Sequence, residues 1–174
     1  NGTPIGTVLV KDIYAGSGST SFGDFHNANG ILFFVGCDGV NGSELWKSNG
    51  TDAGTIMIKD IETGTGGSNI RRFVTLNSNT YFFANTAATG NGLWKTDGTD
   101  AGTVIVKDLN DNGSPDYLTL VGNILFFRGF DDTNGAELWK SDGTEAGTVL
   151  VKDIFPGVSD GYPVNLFNAN GTLY

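Results

Sequence analysis

Histidine and cysteine are almost absent from this sequence. Its 174 residues include one of each, His26 and Cys37. A single cysteine cannot close a disulfide within the chain, so cysteine usage leaves the redox compartment open. A lone histidine with no recurring serine, cysteine or metal-ligand partner predicts neither a catalytic triad nor a zinc site. We therefore interpret both residues as structural and expect no catalytic residue in the chain.

Positive charge and long apolar runs are also scarce. Ten lysine and arginine residues are outnumbered by nineteen aspartate and glutamate residues, which leaves a net charge of -9, and Arg71-Arg72 is the only adjacent basic pair. Such a chain repels a phosphate backbone, so nucleic acid is not an expected partner. No apolar run approaches the roughly 20 residues of a membrane-spanning helix, so we expect no membrane insertion.

The sequence contains instead a phrase that occurs three times. It occupies residues 44–55, 92–103 and 137–148, and its tryptophans, Trp46, Trp94 and Trp139, stand 48 and then 45 positions apart. Lys-Asp pairs begin at residues 11, 59, 107 and 152 with similar spacing. A repeat of this length is typical of β-propellers and solenoids, in which each unit buries its apolar faces against its neighbours.

Each unit contains four short segments with the composition of β-strands. In the middle unit these are residues 72–76, 81–84, 93–95 and 103–107, bounded by Gly, Asn, Asp or Ser. Asn-Gly and Asp-Gly pairs supply the positive φ angles of tight antiparallel turns. The second and fourth segments, such as 31–35 and 149–151, are apolar at successive residues, which indicates strands that are covered on both faces.

These features predict an all-β fold, a β-propeller-like array of four-stranded antiparallel blades with a period of 45–48 residues. A β-sandwich and a β-helix are the alternatives. We place the outer strand of a preceding blade at 1–14, complete blades at 15–62, 63–109 and 110–155, and the start of a further blade at 156–174. Three complete blades do not close a ring, so the expected partners are further repeats of a longer chain or copies of this chain.

The recurring phrase also carries a family motif. Residues 137–144 match Glu-Leu-Trp-x-x-Asp-Gly-Thr fully, whereas Asn49 replaces the Asp in the first copy and Gly92 replaces the Glu in the second. Over nearly its whole length the chain resembles the bacterial ELWxxDGT-repeat proteins. The resemblance implies a large bacterial protein, secreted or displayed at the cell surface, with propeller-like repeats that have no assigned catalytic activity.

Two loops carry candidate metal ligands. Asp38 and Glu44 flank a loop in the first unit, and Asp131 and Glu137 flank its counterpart in the third. Carboxylate and amide oxygens that alternate through a Gly-bearing loop are the ligands that calcium prefers, so calcium is the candidate cofactor. The middle unit has no carboxylate at 87–92 and is expected to bind none. The competing interpretation is a pair of solvated acidic turns.

The repeated tryptophans and charged residues have two interpretations each. Exposed, Trp46, Trp94 and Trp139 would be stacking platforms for glycans; buried, they would pack between blades, which the leucine before each of them favours. The Asp of each phrase is expected to cap its own turn. We interpret the Lys-Asp pairs as solvated residues that guard an outer sheet edge.

Three functions are compatible with these patterns. The leading hypothesis is a non-catalytic extracellular repeat module that acts as a scaffold, adhesion or surface-assembly unit. A glycan-binding, lectin-type propeller is the first alternative and requires exposed tryptophans. A hydrolase propeller fragment is the second; it requires unique polar residues gathered on one face, and the sequence singles out no pair of carboxylates.

Overall fold

The protein is built from β-strands. The computed structural model describes residues 2–109 and 113–174, and those residues contain fourteen strands and no helix. The first sheet holds β1 (Phe22–Ala28), β2 (Ile31–Cys37), β3 (Ser43–Ser48) and β4 (Ile56–Lys59). The second holds β5 (Arg71–Leu76), β6 (Asn79–Thr86), β7 (Gly90–Thr96) and β8 (Val104–Asp108), and the third holds β9 (Asp116–Val121), β10 (Ile124–Asp131), β11 (Gly135–Ser141) and β12 (Val149–Lys152). A hairpin of β13 (Asn168–Ala169) and β14 (Thr172–Leu173) follows.

Each of the three sheets is an antiparallel meander in which the strand order follows the chain, and none is closed into a barrel. The predicted all-β class and the four antiparallel strands of each unit are therefore confirmed. The sheets fall inside the predicted units 15–62, 63–109 and 110–155. Residues 1 and 110, at which two predicted units begin, lie outside the described residues.

Tight turns join the first and second strands of each unit. Asn29 and Gly30 have φ angles of 54° and 85°, and Asn170 and Gly171 have 52° and 88°. Two consecutive positive φ angles match the right-handed twist of the flanking strands, which is why Asn-Gly is favoured there. The Asn-Gly pairs therefore form the hairpin turns that the sequence predicts.

The first strand of each sheet contains a bulge that the sequence does not predict. Register shifts interrupt β1 and β5, and a third shift interrupts the pairing of β9 with β10. At the same position of the repeat, Asp24, Arg72 and Tyr117 have φ angles of 41°, 62° and 60°. A bulge bends its strand and redirects a side chain, so these three residues leave the regular alternation of the sheet.

The sheets pack against one another through two hydrophobic clusters. Adjacent residues of a strand point to opposite faces, so each third strand has a tryptophan face and a leucine face. Trp94 and Phe82 of the second sheet pack with Leu45, Phe33 and Ile58 of the first. The third sheet repeats the arrangement on the second with a cluster that includes Phe127, Trp139, Tyr81, Leu93 and Val106. The tryptophan face of each unit therefore covers the leucine face of the preceding one.

The segment before the first sheet differs from its prediction. Residues 7–10, predicted as the outer strand of a preceding blade, form no strand. A fourth strand pairs with the third strand of its own unit, and residues 7–10 pair with no strand of the described residues. Val8 and Leu9 are 73% and 80% exposed as a result.

Candidate functional site

Glu44 is fully buried at the point where the first sheet leads into the second. One carboxylate oxygen accepts the N–H of Ile61 at 2.9 Å, and the other accepts the N–H of Ser68 at 3.0 Å. The Ser68 hydroxyl donates at 2.7 Å, and Glu62 N–H contacts the carboxylate at 3.4 Å. The donors belong to the connection between β4 and β5, so the carboxylate holds that connection against the third strand.

Glu137 has the same role after the third sheet. Its carboxylate accepts the N–H groups of Ile154 at 3.0 Å, Phe155 at 3.3 Å and Gly161 at 2.8 Å. In the second unit Gly92 takes this position, and the N–H of Leu109 instead bonds to a backbone carbonyl at 2.8 Å. The Glu of the recurring phrase is therefore a structural acceptor for the loop that follows its own sheet.

Asp38 and Asp131 also have protein partners. Asp38 accepts the N–H groups of Val40 at 2.9 Å and Asn41 at 2.8 Å, together with the Asn41 amide at 2.7 Å. Asp131 accepts the equivalent three groups from Thr133 and Asn134. Burial alone would raise the pKa of Asp38, but these hydrogen bonds hold it below its usual value. Each aspartate thus closes its own loop by capping backbone N–H groups.

The predicted calcium ligands therefore belong to two separate networks. Asp38 and Asp131 cap the loop after the second strand, whereas Glu44 and Glu137 bind the connection after the fourth. Throughout residues 2–109 and 113–174, no group of three or more acidic, histidine or cysteine side chains is arranged to hold a metal ion. The geometry gives the calcium prediction no support.

The three tryptophans are packing residues. Trp46, Trp94 and Trp139 are 6%, 8% and 8% exposed, which leaves no indole face open to a sugar. Their indole N–H groups are buried as well and make no hydrogen bond within the described residues. Gly129 lies so close that a Cβ added there would stand 2.7 Å from Cδ1 of Trp139. Trp94 and Trp139 pack between sheets, as the packing interpretation predicts, whereas Trp46 packs against Phe34 of its own sheet. The glycan-stacking alternative lacks the exposed indoles that it requires.

Two lysines of the Lys-Asp pairs form ion pairs with the unit that follows them. Lys59 at the end of β4 forms an ion pair of 3.0 Å with Asp100, in the turn that follows β7 of the next unit. Lys11 pairs with Asp52 at 2.9 Å across the same spacing of 41 residues. Because both aspartates are about three-quarters exposed (73% and 75%), each pair stabilises the contact by less than about 1 kcal/mol. Each pair nevertheless connects a lysine to an aspartate of the unit that follows it.

The single histidine and the single cysteine are not assembled into a reactive group. His26 Nε2 lies 2.7 Å from the Thr75 hydroxyl of the neighbouring unit, and its ring stacks on Phe73. Burial lowers the pKa of His26. Cys37 is a half-buried free thiol at the end of β2. His26 thus links two first strands.

All three arginines of the chain gather beside the bulges of the second and third units. Arg72 Nε donates to Asp116 at 2.6 Å, and Arg128 lies 4.0 Å from the same carboxylate. Both guanidinium groups lie over the ring of Tyr117, at 5.8 and 5.1 Å from its centroid. Asp24 accepts the backbone N–H of Arg72 at 3.0 Å. This cluster joins residues from all three units.

Arg71 extends the cluster into a polar cavity between the second and third units. Its guanidinium donates to the carbonyl of Asn69 at 3.0 Å and to the Asn91 side chain at 3.1 Å, and it lies over Phe83. The cavity has a volume of about 450 Å³. Its described lining consists of Asn69, Ile70, Arg71, Asn85, Asn91 and Ser114. We call it the second-unit pocket.

The sequence predictions do not include this site, because they rest on residues that recur from unit to unit. The pocket is built from residues that depart from the repeat: the Asn91 position is Ser43 in the first unit and Ala136 in the third, and the Asn85 position is Cys37 and Phe130. The one visible signal was Arg71-Arg72 in an acidic chain.

Comparisons with protein-family models, with curated proteins and with solved structures gave no significant match. No helix of the described residues is both long and apolar enough to cross a bilayer.

Proposed function

We propose that the chain is a non-catalytic extracellular repeat module of the propeller type, which builds a scaffold or adhesive surface assembly by joining further repeats or copies of itself. The observation that carries the proposal is a difference in exposure between equivalent residues. Ile58 and Val106, whose faces are covered by the next unit, are 7% and 6% exposed, whereas Val151 at the same position of the third unit is 42% exposed. The leucine face of the third unit thus has the apolar residues of an interface, but Val151 on that face is left exposed.

The first tryptophan face is open in the same way. Phe25 is 63% exposed, whereas Leu118, two units later at the same position, is 8% exposed. Phe22 beside it is 54% exposed. Residues 8–13 lie only partly over this face and leave a cavity of about 270 Å³. Exposed apolar faces of this kind are typical of protein interaction sites.

The contacts between first strands support the propeller arrangement. β1 lies beside β5, β5 beside β9, and β9 beside β13. The Thr119 hydroxyl donates to the carbonyl of Leu166 at 3.0 Å, and the Asn168 amide donates to the carbonyl of Leu120 at 2.8 Å. First strands that adjoin in succession are what a ring of blades around one axis requires. The extracellular address rests on the resemblance to ELWxxDGT-repeat proteins.

The experiment compares two substitutions on β12 by sedimentation velocity over a range of protein concentrations. We expect the unaltered chain to associate more as concentration rises. Val151→Lys should shift it towards monomer, because the charge would have to be buried in the interface. Val149→Lys is the matched control: Val149 is 39% exposed, and its equivalents Ile56 and Val104 remain 42% and 40% exposed inside formed interfaces.

Two results would contradict the proposal that copies of the chain join. One is a chain that sediments as a monomer at every concentration. The other is association that Val151→Lys and Val149→Lys change equally, since the leucine face would then have no special part in it.

A further inference from the structure

The second-unit pocket lies where the chain departs twice from its own repeat. Gly92 replaces the glutamate that binds the following connection in the other two units. That connection is also shorter, since 12 positions separate Lys59 from Arg71 but only 9 separate Lys107 from Asp116. In the first unit, the glutamate and the longer connection occupy this place. In the second unit, the polar cavity of about 450 Å³ lies there instead.

The side chains that line the pocket combine one held cation with open hydrogen-bonding groups. Arg71 is held by two hydrogen bonds and by its contact with Phe83, so its guanidinium loses little further freedom on binding a ligand. The half-buried side-chain amide of Asn85 makes no hydrogen bond within the described residues. A ligand that reaches Asn85 therefore does not compete with an existing partner.

The charge around the pocket is opposite to that of the chain as a whole. The guanidinium of Arg71 is the one charged group among the described residues of the lining, and Arg72 lies beside it. Arg72 is 52% exposed, and its terminal nitrogens make no hydrogen bond to described residues. In a chain of net charge -9, this positively charged lining attracts an anion.

The lining identifies the chemical class of the ligand. The amides of Asn69 and Asn85 can each donate and accept, as can the Ser114 hydroxyl, so the set matches a molecule rich in hydroxyl groups. A guanidinium pairs with a carboxylate or sulfate through two parallel hydrogen bonds. An apolar ligand would leave the half-buried amide of Asn85 without a partner, at a cost. We propose that the second-unit pocket binds an acidic saccharide, a sugar that carries carboxylate or sulfate groups.

The test is calorimetric titration of the full chain with trigalacturonate, with a heparin-derived tetrasaccharide, and with neutral galactotriose. We expect one of the acidic probes to bind at least about tenfold more tightly than galactotriose. Asn85→Asp, which places a negative charge in the pocket, and Arg71→Gln should each weaken that binding by about tenfold or more. Circular dichroism checks that both variants are folded. Asn123→Asp in an exposed turn and Lys152→Gln on β12 are the matched controls and should bind as the unaltered chain does.

Four results would overturn the proposal, the last of them in a peptide control. The first is no binding of either acidic probe, and the second is equal binding of galactotriose. The third is binding that Asn85→Asp leaves unchanged while the fold is intact. A triglycine peptide with a free carboxylate is the last arm: if it binds as tightly as the acidic saccharide, the pocket recognises a carboxylate and not a sugar. Association measured by sedimentation is independent of all these results, so a failure here is distinguishable from a failure of the assembly proposal.

Discussion

Two opposing effects meet at the carboxylate of Glu44. Burial, the larger effect, raises its pKa, whereas the hydrogen bonds from Ser68, Ile61 and Glu62 lower it. The net result is a pKa of about 7. The pKa in the folded chain therefore lies above the ordinary value of 4.5. Between these two values the folded chain binds the proton that the unfolded chain has released, so the stability that this group contributes is fully present below pH 4.5 and is lost as the pH rises through about 7.

The first prediction compares the unaltered chain with Glu44→Gln between pH 5 and pH 8. The free energy of unfolding, measured with urea, should fall with rising pH in the unaltered chain by an amount on the order of 3 kcal/mol more than in the variant, which cannot ionise there. His26 contributes with the opposite sign, because burial lowers its pKa, but it is common to both chains and cancels. Parallel pH profiles would contradict the assignment.

At the scale of the element, the turn after each third strand explains why its residues recur. Asp97 accepts both the N–H and the hydroxyl of Thr99, at 2.8 and 2.7 Å, and these hydrogen bonds lower the pKa of Asp97. Asn49 accepts the same two groups from Thr51 through its amide oxygen. That is why Asn49 can stand where the other two phrases have Asp. The predicted capping of the turn by its own Asp is confirmed.

The second prediction concerns Thr103, at the end of this turn. Its buried hydroxyl lies 2.6 Å from the carbonyl of Thr99 and 2.8 Å from the hydroxyl of Thr96. Thr103→Val leaves both groups without that partner and should lower the free energy of unfolding by about 1–3 kcal/mol. Thr65→Val is the control because Thr65 is exposed in a connection. Urea unfolding that gave equal losses for both variants would show that the hydroxyl contributes nothing.

At the scale of the whole molecule, stability should grow with each unit added. In stacked repeats each unit contacts only its neighbours, so the total is close to a sum of units and interfaces. The leucine face of the third unit, on which Val151 is 42% exposed, lacks the packing interface that the leucine faces of the first two units form. Tyr174 stands at the same position of the repeat as Phe33, so the hairpin of β13 and β14 begins a fourth unit.

The third prediction is that residues 34–62, appended after Tyr174, complete that unit and stabilise the chain. The urea midpoint should rise and the transition should remain single, because the new tryptophan face covers the third leucine face. As a control, the appended copy carries Lys in place of its Trp46, which prevents that packing. A separate second transition, or equal midpoints for the two extended chains, would refute the stacking.

Local chemistry let the sequence alone determine the period, the four strands of each unit and the turns between them. Asn29-Gly30 forms its turn because only a few residue types accept two positive φ angles in succession. Trp94 and Trp139 are buried because a large apolar ring that recurs in each unit meets the leucine face of the preceding unit. Such features depend on residues that are close in the chain or on a pattern that every unit repeats.

Only the tertiary structure decided the roles of the charged residues. Glu44 looked like a calcium ligand, but its partners lie 17 to 24 residues ahead, in a connection that folds back over it. Lys59 looked like a solvated edge residue, but its partner is 41 residues away in the next unit. Arg72 of β5 meets Asp116 of β9 because the first strands of neighbouring units lie side by side. Charges and hydrogen bonds act over a few ångströms, and which groups come within that distance is set by the stacking of units and not by spacing along the chain.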